Sequence, residues 1–179
     1  MIRKSLVLAV LFSGCASAAA PKLLPVPSHV VEQRGSLVLS PLDEIRVPPR
    51  DSGAAEAGAY LSQLLRSSNG LELKVGHARG AIRFVRKQGF SAEGYALAAT
   101  PDSVTISATT DAGLLYGAVT AWQLATGDKP SLIPAVTIRD QPRFAWRGLM
   151  LDSARHFQSP GFVRRLIDWM AVSKLNVLH

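Results

Sequence analysis

The sequence has 179 residues, of which 47% are hydrophobic and 18% are charged, a composition that is typical of globular proteins and excludes a disordered chain. Its formal net charge is +7 and its pI is near 10.1. Because the basic residues are scattered singly and in pairs, without an arginine-rich arm, we expect a solvated basic surface and no nucleic-acid binding.

The first 20 residues have the pattern of a secretory signal peptide. Two basic residues precede an apolar run at 6–12 that is too short to span a membrane, and small residues at 16–18 supply a cleavage site. The stretch FSGC also resembles a bacterial lipobox, which would place a lipid anchor on Cys15. We favour ordinary cleavage near Ala18. Either way, the pattern predicts an exported protein, periplasmic or extracellular, without a transmembrane segment.

Residues 21–142 are called the accessory domain. Their pattern of strands and amphipathic helices predicts an α+β fold in which two helices cover one face of a β-sheet. One helix is predicted from residue 51 or 52 to 68, the other from residue 110 or 111 to Gly127, and each carries one apolar stripe. No motif of a nucleophile, a phosphate loop or a metal site occurs here, so we expect a structural role. Strands are predicted at 30–32, 37–39, 45–47, 71–75, 81–85, 95–99, 104–107 and 136–138.

The barrel segment, residues 143–179, contains two apolar runs, one near its start and one at its end. The first run, 148–151, stops at Asp152 and is followed by a polar loop, and the second, 175–179, ends at His179. A helix is predicted between them. A strand, a covering helix and a second strand form a βαβ unit, the building block of parallel sheets and of (β/α)₈ barrels.

The helix of the barrel segment is predicted from its first residues and its periodicity. Ser159 is a suitable N-cap, and Pro160 suits the first helical position because no N–H is needed there. Lys174 is expected in the last turn, where a cation interacts favourably with the helix dipole. The apolar stripe consists of Phe162, Val163, Leu166, Ile167, Met170 and Ala171.

Functional side chains in such units gather at the carboxyl ends of the strands. Asp152, Arg155 and His156 follow the first strand, and His179 lies at the end of the second, so these four residues are the candidates for a site. Arg147 starts the first strand and belongs at the opposite end, where we expect a structural salt bridge. On spacing alone, the favoured interpretation of Arg155 is a surface arginine that pairs with Asp152.

The barrel segment also carries a family resemblance. WRGLMLDSARHF and IDWMAVSKLNVLH, with the helix between them, resemble the opening of the catalytic barrel of family 20 glycoside hydrolases, the β-N-acetylhexosaminidases. The upstream stretches PVPSHVVEQRG, EGYALAATPDSVTISATTDAGLLYGAVTAWQL and IPAVTIRDQPRFAWRG resemble the smaller, non-catalytic N-terminal domain of the same family.

The resemblance implies roles for the candidate residues. Arg155 aligns with the arginine that binds the hydroxyls of the sugar in the −1 subsite, a task suited to a rigid fork of N–H donors. Asp152 can accept from Arg155 and fix its direction, and His156 is expected to pack and hydrogen-bond at the barrel rim. His179 resembles the first histidine of the family's stretch after the second strand, which implies a polar support for the site. A metal site would need ligands beyond Asp152 and His156, so no metal and no cofactor is expected.

The family mechanism is substrate-assisted and retaining, with a catalytic Asp–Glu pair contributed by a later barrel strand. The barrel segment ends before such a strand, so the resemblance predicts no catalytic residue in it. We therefore interpret the sequence as the N-terminal part of an exo-β-N-acetylhexosaminidase: a signal peptide, an accessory domain and a truncated start of a (β/α)₈ TIM barrel, inactive by itself. The alternative is a non-catalytic carbohydrate-binding or interaction module.

Overall fold

A computed structural model describes residues 21–127 and 129–179 of the chain. The predicted signal peptide and Cys15 therefore lie outside the described residues. Within the described ranges, no helix is both long enough and apolar enough to cross a bilayer.

The accessory domain is built on one mixed sheet of seven strands. The sheet order is β1-β7-β5-β6-β4-β2-β3, antiparallel from β1 to β6 and parallel from β6 to β3. In chain order the strands are β1 (His29–Val38), β2 (Glu44–Arg46), β3 (Lys74–Gly76), β4 (Ile82–Arg86), β5 (Tyr95–Ala99), β6 (Val104–Ala108) and β7 (Leu132–Asp140).

Two helices, α1 (Ser52–Asn69) and α2 (Asp111–Ala125), pack on this sheet. Gly58 of α1 lies against Ile45, and Gly117 of α2 lies against Ile106. The strand register places Ile45 and Ile106 on the same face, through Ile82 and Phe84 of β4. Both helices therefore cover one face, as the sequence predicts, and the residues that alternate with this buried set are more exposed.

Side-chain caps fix where the two helices begin. The Asp51 carboxylate accepts from the N–H of Ala54 at 3.0 Å, and the Thr110 hydroxyl accepts from the N–H of Gly113 at 3.2 Å. Arg86, at the end of β4, donates two bonds of 2.7 Å to Asp51 and one bond to Asp111. A single guanidinium thus ties the N-terminal ends of both helices to the sheet.

The barrel segment forms the predicted βαβ unit. Strand β8 (Gly148–Leu149), helix α3 (Pro160–Val172) and strand β9 (Val177–Leu178) follow in order, and β8 pairs with β9 in parallel. Ser159 caps α3 by accepting from the N–H of Phe162 at 3.2 Å, and Pro160 occupies the first turn. Ala171 of α3 borders a cleft that it shares with α1 and α2. Helix α3 therefore faces α1 and α2 across this cleft.

Several predicted boundaries were wrong. The runs at 30–32 and 37–39 belong to one strand, β1, which a bulge between Glu32 and Ser36 interrupts in its pairing with β7. Helix α2 ends at Ala125, two residues before Gly127. Strands β8 and β9 are shorter than their apolar runs because each is paired on one edge only.

A substitution at Gly117 tests whether α2 packs closely on the sheet. A Cβ atom at this position would lie 2.4 Å from Cγ2 of Ile106, so Gly117→Ala forces the helix away from the core. We expect a loss of about 1–3 kcal/mol in the free energy of unfolding, measured by denaturant titration. Gly161→Ala in α3 is the matched control, because its nearest neighbour atom is 3.8 Å away. Equal stability of the two variants would contradict this packing.

Candidate site at the end of the first barrel strand

Asp152 and Arg155 form a local pair just after β8. Oδ1 of Asp152 accepts from the backbone N–H of Arg155 at 3.1 Å, and Oδ2 accepts from Nη1 of Arg155 at 2.5 Å. These two bonds, the backbone one first, lower the pKa of Asp152 below its usual range. The Arg155 side chain is 84% exposed. The carboxylate therefore fixes the direction of a guanidinium that stays open to solvent.

His179 lies at the same end of the two-stranded sheet as this pair. Its backbone N–H donates to the carbonyl of Leu149 at 2.9 Å, and its carbonyl accepts from the N–H of Leu151 at 2.7 Å. The structure thus brings the four candidate residues to the carboxyl end of β8 and β9. The ring of His156 is exposed and makes no hydrogen bond within the described ranges, so its supporting role stays a prediction.

Arg147 lies at the opposite end of β8 and forms the salt bridge expected there. Nη1 and Nη2 bond the two carboxylate oxygens of Glu93, both at 2.9 Å. Nη2 also donates to the hydroxyl of Tyr116 at 3.0 Å, Nη1 to the carbonyl of Phe144 at 2.8 Å, and Nε to the carbonyl of Lys174 at 2.8 Å. All five N–H donors are thereby used, and the bonds from Arg147 lower the pKa of Glu93.

The prediction that Lys174 lies in the last turn of the helix was wrong. Helix α3 ends at Val172, and Lys174 lies beyond it with a φ of 55°, so its charge does not serve the last helical turn. Its side chain, 6% exposed, points into the accessory domain instead. Nζ donates to the hydroxyls of Tyr95 at 2.8 Å and Thr120 at 2.9 Å and to Oδ2 of Asp140 at 3.3 Å.

Burial governs the protonation of this cluster. It lowers the pKa of Lys174 because the cation loses water, while the Asp140 carboxylate acts in the opposite direction. It raises the pKa of Tyr95, and Asp140 adds to that rise. Sequence reasoning did not single out Glu93, Tyr95 or Asp140 because their partners are tens of residues away and no local spacing marks them.

The described residues do not form a complete catalytic site. No group of three His, Cys, Asp or Glu side chains is placed there to hold a metal ion. The one adjacent Asp–Glu pair of the sequence, Asp43 and Glu44, is at the start of β2 in the accessory domain. Asp43 caps a turn there by accepting from the N–H of Ser40 at 2.8 Å. The geometry therefore offers an exposed guanidinium, that of Arg155, which the carboxylate of Asp152 orients.

Comparison with known families agrees with both parts of this architecture. Residues 20–141 match glycosyl hydrolase family 20, domain 2, and residues 144–179 match the catalytic domain of the same family. The chain belongs to glycosyl hydrolase family 20.

Individual relatives are similar over most of the chain. A β-hexosaminidase of Vibrio furnissii is 32% identical over 90% of the chain, and a β-N-acetylhexosaminidase of Cellulomonas fimi is 35% identical over 68%. Among solved structures, the N-acetyl-β-hexosaminidase of Streptomyces plicatus has a TM-score of 0.82 at 37% identity, covering 90% of the chain. The exo-β-N-acetylglucosaminidase of Vibrio harveyi has a TM-score of 0.81 at 31% identity, covering 88%.

These relatives are much longer than the chain. It spans 26% of the Vibrio furnissii protein and 26% of the Cellulomonas fimi protein. It spans 34% of the solved Streptomyces plicatus chain and 25% of the Vibrio harveyi chain. The part that is shared with them is the accessory domain and the first strand, helix and strand of the catalytic domain.

The ion pair of Glu93 with Arg147 predicts a specific pH dependence. Because the pKa of Glu93 is lowered in the folded state, its stabilisation is present above its ordinary value of 4.5 and is lost as the pH falls through the lowered value. Glu93→Gln should cost about 2 kcal/mol of unfolding free energy at pH 7, and less as the pH falls from 4.5 towards 3.

Urea unfolding of both proteins between pH 7 and 3 measures this difference. Glu72→Gln is the matched control, since Glu72 faces Arg66 at 3.8 Å with a side chain that is 69% exposed. That variant should differ from wild type by less than about 0.5 kcal/mol at every pH. A constant cost of Glu93→Gln across the range would contradict the assignment.

Proposed function

We propose that these residues are the N-terminal part of an exported, exo-acting β-N-acetylhexosaminidase. The enzyme would remove terminal N-acetylglucosamine or N-acetylgalactosamine from oligosaccharides or glycans by substrate-assisted retaining catalysis. The observation that carries the proposal is the Asp152–Arg155 pair at the carboxyl end of β8, in a chain that belongs to family 20. The Vibrio harveyi relative was solved with N-acetylglucosamine, which supports this substrate class.

Arg155 is proposed to bind the sugar. Asp152 takes one Nη1 donor and the backbone N–H, which leaves the outer N–H groups of the guanidinium available. Two parallel donors in a plane match two neighbouring hydroxyl oxygens of a pyranose ring, and the charge persists at every physiological pH. Asp152 thereby acts through Arg155, by restricting its rotamers before the sugar arrives.

The reaction itself requires groups outside this chain. In the proposed mechanism the acetamido oxygen of the substrate attacks the anomeric carbon, and an Asp–Glu pair from a later strand orients the acetamide and transfers the proton. The chain contributes β8, β9 and their loops to that barrel, and a barrel of this class closes with eight strands. Export is supported by the pattern of residues 1–20.

The first test concerns activity of the chain by itself. The purified 179-residue polypeptide should release no p-nitrophenol from p-nitrophenyl N-acetyl-β-glucosaminide above the buffer blank, because it lacks the barrel acid and base. The longer polypeptide that continues past His179 should hydrolyse it. Turnover by the short chain at enzyme-like rates would refute the proposal that the acid and base come from a later barrel strand. An inactive long chain would refute the proposed function.

The second test concerns Arg155 in the longer enzyme. Arg155→Ala removes a charged donor to the sugar, so kcat/KM should fall about 100-fold while the melting temperature is preserved. Arg155→Lys should recover only part of the loss, because an ammonium cannot bridge two hydroxyls in a plane. Arg164→Ala on the exposed side of α3 is the control and should keep full activity. Unchanged kinetics in Arg155→Ala would exclude the assignment.

A further inference from the structure

Arg147 and Lys174, the two cations that bind the accessory domain, have equivalent positions in the barrel segment. Arg147 lies five positions before Asp152, and Lys174 lies five positions before His179. Each cation therefore stands at the start of a barrel strand whose far end carries a candidate site residue. Strands β8 and β9 pair directly, so a shift at one start displaces the ends relative to each other.

The carboxylates that hold these cations lie at the end of β7 and in the turn before β5, two neighbouring strands of the accessory sheet. Asp140 ends β7 and is the register partner of Tyr95, which begins β5. Glu93 precedes Tyr95 by two positions. Asp140 is itself fixed, since Oδ1 accepts from the N–H of Ser28 at 3.0 Å and Oδ2 accepts from the Tyr95 hydroxyl at 3.0 Å. Both anions are therefore placed at the same end of the neighbouring strands β5 and β7.

Asn176 bonds to both members of the Arg147–Glu93 ion pair, and Nε of Arg147 links this pair to the carbonyl of Lys174. The side-chain oxygen of Asn176 accepts from the N–H of Arg147 at 3.0 Å, and its backbone N–H donates to the carbonyl of Arg147 at 2.9 Å. Its Nδ2 donates to Glu93 at 3.2 Å and to the carbonyl of Ala145 at 2.8 Å. The turn from α3 into β9 is therefore bonded to the start of β8 and to the accessory domain together.

The turn after α3 is closed by a C-terminal cap in which Lys174 has a left-handed φ of 55°. The N–H of Lys174 donates to the carbonyl of Ala171 at 3.0 Å, and the N–H of Leu175 donates to the carbonyl of Met170 at 2.8 Å. Three donors of the buried ammonium meet three acceptors of the accessory domain. Without these acceptors, burial of the Lys174 ammonium would be strongly unfavourable.

We propose that Lys174 is a positioning residue for the site. By holding Asp140, Tyr95 and Thr120, it fixes the register of β9 against β8 and so the place of His179 relative to Arg155. The accessory domain then determines the geometry of the sugar site although none of its residues lies there. The catalytic readout of this inference rests on the proposed function, and the exchange readout does not.

The first experiment compares Lys174→Met with wild type in the 179-residue chain by amide hydrogen exchange. The amides of Leu151 and His179, which bond across β8 and β9, should lose at least 10-fold protection, while amides of β4 to β6 keep theirs. Lys87→Met, an exposed lysine, is the control and should leave every amide unchanged. Retained protection at Leu151 and His179 in Lys174→Met would overturn the proposal.

The second experiment measures kcat of the longer enzyme at a temperature well below the melting point of each variant. Lys174→Met should lower kcat about 10- to 100-fold in fully folded protein, because a small displacement of the site is sufficient for that loss. A purely structural lysine would lower the melting temperature and leave kcat unchanged, and this result would overturn the inference.

A milder variant covers the case in which Lys174→Met does not fold. Tyr95→Phe removes one of the three acceptors of Nζ and keeps the ring in the core, so kcat should fall by a smaller factor in a folded enzyme. Wild-type kcat in this variant would count against the proposal. If the wild-type long enzyme has no hexosaminidase activity, the proposed function fails, and the exchange comparison still decides the role of Lys174.

Discussion

The burial of one ammonium group between two domains is the constraint on which the rest of this structure depends. Lys174 loses almost all of its hydration, and an isolated cation in that position would be strongly unfavourable. Asp140 supplies the opposite charge, and the hydroxyls of Tyr95 and Thr120 satisfy the other two donors. The buried position of the Lys174 ammonium requires one opposite charge and three hydrogen-bond acceptors. These requirements fix where the turn that leads into β9 can lie.

The accessory domain is suited to impose such a placement because its own parts are tightly fixed. Arg86 joins the first turns of α1 and α2 through Asp51 and Asp111, and Gly117 lets α2 approach the sheet closely. Ala171 of α3 lines a cleft together with residues of α1 and α2, so the helix of the barrel segment faces these two helices. We infer that the accessory domain is the reference against which the first barrel strands are aligned.

Local features of this fold could be predicted from sequence, and long-range ones could not. The caps at Ser159 and the pair of Asp152 with Arg155 involve residues three positions apart, so local spacing is sufficient to find them. Alternating apolar residues located most strands, because burial on one face imposes a period of two. Arg147 was expected to form a salt bridge from its place in the strand, but nothing local identified Glu93, which is 54 positions away.

Lys174 shows how a local rule fails. A cation just after an amphipathic stripe satisfies the helix-dipole rule, and only the tertiary structure reveals that the helix has already ended. The bulge in β1 was missed for a similar reason, since it depends on the register with β7. The place of Arg155 at the end of β8 could be predicted from the sequence, whereas the sugar contact proposed for it concerns a complex with substrate.

The distribution of charge at the junction has a consequence for how the polypeptide can be divided. Both anions, Glu93 and Asp140, precede Pro142, and both cations, Arg147 and Lys174, follow it. A cut at the apparent domain boundary would separate each of these four charges from its counterion, so both ion pairs would be lost. Excision of the catalytic barrel as an independent unit would therefore expose both cations to water without the carboxylates that pair with them here.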